Sequence, residues 1–98
     1  SPLAVIEWVS SSSTGSLVMK NLTSNNITLT EVYWNGSTVN VNDQNFGPGG
    51  TDTVTNAGFT CGTSAGQQYS VSLGYSYNTP NLSGIDFNGV QKIVGSCQ

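Results

Sequence analysis

The chain has 98 residues, a net charge of -3, and charged residues at only 7% of positions, against about 25% in ordinary soluble domains. Lys20 and Lys92 are its only basic residues, and there is no Arg or His. Phosphate-rich partners need several cationic contacts, so nucleic-acid binding is excluded, as are triads and zinc sites built on His.

A chain of this length makes one domain, spanning 1–98. Short runs rich in Val, Ile, Thr, Tyr and Trp, punctuated by Gly and Asn, read as strands joined by turns. The first strand covers Leu3 to Val9. Its extended, apolar character also makes it a candidate for exchange with a neighbour's open sheet edge. Ser10 to Gly15 is a connecting loop, and Ser16 to Lys20 is the second strand. In the third, Ile27, Leu29, Glu31 and Tyr33 alternate with Thr28, Thr30, Val32 and Trp34. Asn35-Gly36 then predicts a type I′ hairpin turn, whose two central residues both need positive φ.

The return strand is Thr38 to Val41, followed by a polar loop from Asn42 to Gly50. Asn40, Asn42, Asp43 and Asn45 make this region oxygen-rich, but one carboxylate is too few for calcium, and a plain turn is the better reading. Thr51 to Thr55 is extended, and Asn56 to Gly66 is mostly loop. Along Gln67 to Asn78, Tyr69, Val71, Leu73, Tyr75 and Tyr77 share one face, with Ser70, Ser72, Gly74 and Ser76 on the other. A second turn is expected at Asn88-Gly89, between strands Ile85 to Phe87 and Val90 to Val94. Seven or eight short antiparallel strands at this spacing predict an all-β fold, an Ig-like two-sheet β-sandwich.

Cys61 and Cys97 are the only cysteines. In a short, polar chain an even count reads as a disulfide and an extracellular setting. It would close a loop worth about 4 kcal/mol. Free thiols or a redox pair are the alternative, although the spacing is not Cys-x-x-Cys.

So uncharged a surface needs another source of solubility. Asn21-Leu22-Thr23, Asn26-Ile27-Thr28, Asn35-Gly36-Ser37 and Asn81-Leu82-Ser83 are glycosylation sequons, which makes Asn21, Asn26, Asn35 and Asn81 candidate acceptors. Packing against neighbouring subunits is the other source.

No catalytic group emerges. Glu7, Glu31, Asp43, Asp52 and Asp86 show no pairing of the kind a glycoside hydrolase needs. Trp8, Tyr33, Trp34, Tyr75 and Tyr77 would suit a sugar-stacking platform. A chain with so few Leu and Ile needs them for its core, and Trp34, next to a turn, is the one expected to be partly exposed. Lys20 follows Leu17-Val18-Met19; a buried Lys joined to an Asn is conceivable there, and a snorkelling surface Lys is the simpler reading.

Leu17-Val18-Met19-Lys20-Asn21, then the run from Ile27 to Gly36, the Gly47-Pro48-Gly49-Gly50 loop feeding Thr51 to Thr55, Cys61 and the closing Ile93-Val94-Gly95 together resemble the globular β-domains of archaeal type IV pilin-like proteins. The resemblance covers most of Leu17 to Gly95. It implies a structural, non-catalytic subunit of an extracellular filament used for adhesion or motility. Its partners would be copies of itself and glycans, with no cofactor or metal. Membrane attachment would come only through an apolar N-terminal helix that this chain does not contain. The alternative is a secreted β-sandwich module that binds carbohydrate or a surface partner.

Overall fold

The computed structural model describes residues 1–98, apart from the side chains at positions 89 and 90. Seven strands follow one another: β1 (Leu3–Ser10), β2 (Gly15–Asn21), β3 (Ile27–Trp34), β4 (Ser37–Phe46), β5 (Thr51–Asn56), β6 (Gln68–Asn78) and β7 (Ile85–Ser96). They form a sheet ordered β1-β2-β5 and another ordered β4-β3-β6-β7, with every pairing antiparallel. This is the expected Ig-like sandwich, drawn out to 42 × 22 × 21 Å.

The core lies between the sheets. Leu3, Val5, Leu17, Met19 and Val54 face Ile27, Leu29, Val32, Val71, Leu73 and Ile93. On β6 the period-two reading holds, with Tyr69, Val71, Leu73 and Tyr75 all buried. On β3 strict alternation fails. A β-bulge between Leu29 and Glu31 shifts the register against both neighbours. Ile27 and Leu29 point inward before it, and Val32 and Trp34 point inward after it. One extra residue reverses the facing of everything that follows.

That shift corrects the expectation for Trp34, which is buried rather than partly exposed. Its ring packs against Phe59 with centroids 5.2 Å apart, and its Nε1–H donates to the Thr60 carbonyl at 2.9 Å. Two further expectations change. β4 does not end at Val41 but continues to Phe46, past Asn42 and Asp43, which sit at φ 58° and 53°. Asn and Asp tolerate this left-handed region, so they form a bulge where a loop was expected. Nor does the chain reverse at Asn88-Gly89. Ile85 to Phe87 and Gln91 to Ser96 both pair with β6 in one direction, within a single strand. The side chains at 89 and 90 lie outside the described residues.

The Asn35-Gly36 turn is present, with φ of 50° and 87°. β1 pairs with β2 of its own chain from Leu3 to Ser10.

Candidate functional site

The two ends of the sandwich are built by different chemistry. At the end where β2 finishes, Asn21 is fully buried. Its Nδ2 donates to the carbonyls of Asn25 (2.7 Å), Phe46 (3.1 Å) and Gly47 (3.0 Å). Its Oδ1 accepts from the backbone N–H and the hydroxyl of Thr23, at 2.9 and 2.7 Å. One side chain thus ties the β2–β3 connection to the β4–β5 connection. A buried amide with all its groups satisfied stabilises, and an unsatisfied one is costly.

At the opposite end, Cys61 and Cys97 form a disulfide, with Cα atoms 5.7 Å apart and both residues buried. It joins the β5–β6 connection to the residue after β7. Phe59, from the same connection, is fully buried and accepts the Ser10 hydroxyl on its carbonyl. It lies so close to β2 that a Cβ at Gly15 would stand 2.2 Å from the Phe59 carbonyl oxygen, so only glycine fits there.

Each of the four edge strands has a carbonyl engaged across the sandwich. On the β4/β5 side Gln44 Nε2 donates to the Thr53 carbonyl and Asn56 Nδ2 to that of Asn40. On the β1/β7 side Trp8 Nε1–H donates to the Val94 carbonyl at 2.9 Å, and the Gln98 N–H to that of Ser10. Carbonyls engaged in this way are poor templates for an added strand. The β1/β7 side is also the more apolar. A cleft of about 250 Å3 opens there between Leu3, Val5, Leu73, Tyr75 and Phe87. Tyr75 stacks on Phe87 at 5.3 Å, and its hydroxyl both donates to the Leu3 carbonyl and accepts from the Leu3 N–H.

The outer faces carry few charges. Ser16 meets Thr55 hydroxyl to hydroxyl at 2.7 Å, and Thr28 donates to Asn45 at the same distance. Glu31 and Asp86 stand on either side of Ser76 across β3, β6 and β7. Asp86 accepts the Tyr33 hydroxyl at 2.7 Å on that open face. That hydrogen bond, and then partial burial, raises the Tyr33 pKa above its ordinary value; burial raises those of Tyr69 and Tyr75. Lys20 and Lys92 are exposed, so neither is the buried lysine a side-chain crosslink requires. Among the described residues no three His, Cys, Asp or Glu side chains gather into a metal-binding group.

The four sequons part company in the fold. Asn26, Asn35 and Asn81 are exposed, whereas the Asn21 amide is locked in the interior. Asn35 and Ser37 also border a second cleft, of about 380 Å3, at the disulfide end. The sequence carries no sign of this cleft, because its walls come from β3, the β5–β6 connection and the start of β6.

Fold and surface define a single-disulfide β-sandwich domain with a sparsely charged coat. Comparison of the chain with known protein families, with curated proteins and with solved structures finds no match.

Proposed function

We propose that this chain is a structural subunit of an extracellular filament or pilus-like cell-surface assembly, acting by assembly and not by catalysis. The observation that carries the reading is the sparsely charged coat. Both outer faces carry many hydroxyls and amides, with Ile6, Val9 and Val94 exposed among them, and the seven charged side chains are scattered. Copies of such a domain approach one another with little charge repulsion to overcome. The disulfide fits an oxidising, extracellular setting. The resemblance to archaeal type IV pilin-like domains points the same way.

Electron microscopy and intact mass spectrometry of the protein from its native source test the reading. Regular filaments containing the chain are expected. A dispersed monomer under native conditions overturns it.

A second reading, a secreted carbohydrate- or partner-binding module, is favoured by the polar cleft beside Asn35 alone. An aromatic platform does not support it, because Trp34 is buried and Trp8 is half-buried with its N–H bonded to Val94.

A further inference from the structure

We infer that the cleft beside Asn35 seats a neutral sugar ring, presented by the Asn35 side chain itself. The inference goes beyond the assembly reading and holds whether or not the chain polymerises.

Three observations meet at this point. The first is accessibility. Asn35 lies on an exposed two-residue turn, and no described residue accepts a hydrogen bond from its Nδ2; only its Oδ1 is engaged, by the Ser72 N–H at 3.5 Å. Ser37, the hydroxyl residue of the same sequon, is exposed beside it. The second is the volume. About 380 Å3 lies at the small end of the range for ligand pockets, about 300–1,000 Å3, and suits one ring rather than a large ligand.

The third is the chemistry of the walls. Thr60 and Ser70 supply hydroxyls, beside Thr63 and Gln68, whose side chains already donate to Gln67 and Ser96, over a floor that includes Trp34 and Val71, and no Asp, Glu or Lys lines the cleft. An anion or cation drawn in here would lose water and gain no counter-charge, which is unfavourable. A purely apolar ligand would strand the hydroxyls. A polyhydroxylated neutral ring both donates and accepts hydrogen bonds, as Ser, Thr and Gln do. The other sequons lack this arrangement. The Asn21 amide is consumed in the interior, and Asn26 and Asn81 are exposed but do not border the cleft.

The same ring chemistry is offered by a free saccharide, and the test separates the two sources. Protein from the native source is digested, and the peptide containing Asn35 is weighed. Amide hydrogen exchange at Thr60, Thr63, Gln68 and Ser70 is then compared before and after enzymatic trimming of glycans. In parallel, the bare chain is titrated with glucose and N-acetylglucosamine while the same amides are followed by NMR. Sugar mass on Asn35 that disappears in Ser37→Ala, with cleft exchange at least tenfold faster after trimming, is the expected result. A bare Asn35 with saccharide-induced shifts at these amides, weakened at least tenfold by Ser70→Trp, keeps the cleft as a sugar seat and assigns it a free ligand. A bare Asn35 without such shifts overturns the inference, and so does a glycan whose removal leaves cleft exchange unchanged. Neither outcome bears on whether filaments form, so this inference and the assembly reading fail independently.

Discussion

The two ends of the sandwich hold the chain by opposite means. At one, five hydrogen bonds converge on the Asn21 side chain and the link is wholly non-covalent. At the other, a disulfide spans a sequence separation of 36 and is backed by Phe59 wedged against Gly15. The Asn21 triplet, at the first end, is a structural element of the interior; the Asn35 triplet, at the second, stands free beside a polar cleft. Identical local signals take opposite roles because burial, which no triplet encodes, decides whether the amide faces carbonyls or solvent.

The contrast is broken most severely at the covalent end. Replacing Cys61 and Cys97 together by Ala is expected to cost about 4 kcal/mol in urea unfolding, from the loop freed in the denatured chain. A loss under about 1 kcal/mol would mean that Phe59 packing, and not the crosslink, holds that end. Asn21→Ala comes next, at about 3 kcal/mol, because three carbonyls lose their donor and only some regain water. Asn21→Asp is expected to be comparably harmful, since it keeps the acceptor oxygen and removes the donor. Near-wild-type stability for both variants would show that the loops hold themselves.

Trp8→Phe tests the latch between β1 and β7. It keeps most of the packing and removes the hydrogen bond to Val94, for an expected loss of about 1 kcal/mol. Alkaline pH probes both ends in one sample. Tyr69 lies at the disulfide end, and Tyr75 is bonded to Leu3 near the other. With Tyr33, both have pKa values raised in the folded state. The folded chain therefore holds these protons more tightly than the unfolded one. Their contribution is complete below pH about 10 and falls as pH rises beyond it. Tyrosine absorbance and unfolding should then advance together above pH 10; early, reversible ionisation in the folded protein would contradict the burial of Tyr69 and Tyr75 and the hydrogen bond of Tyr33 to Asp86. The smallest effect is expected for Asn26→Gln and Asn81→Gln, each within about 0.5 kcal/mol, as befits exposed sites. A larger loss would give those sequons a structural role like that of Asn21.

Much of the fold was legible in the chain. The strand spanning Ile27 to Trp34 follows from its β-branched and aromatic residues, the buried stripe from Tyr69 to Tyr75 from period-two patterning, and the Asn35-Gly36 turn from the positive φ that Asn and Gly tolerate. The boundaries of β4 and β7 were not. Asn42-Asp43 and Asn88-Gly89 carry turn chemistry, yet each lies within a strand whose inward residues on both sides, Val41 and Phe46 in β4, Phe87 and Ile93 in β7, are held by the opposite sheet. Packing on the core outweighed the local preference for a turn.

The site was less legible than the fold. Composition determined by itself that the surface would carry few charges, that no His was available for a triad or a zinc site, and that the two cysteines had only each other as disulfide partners within the chain. Those properties depend on which residues exist, not on where they go. The inward turn of Trp34, the burial of Asn21 and the cleft beside Asn35 were decided by the tertiary structure alone. The first follows from one bulged residue in β3. The other two arise where segments far apart in sequence close over a side chain, or fail to.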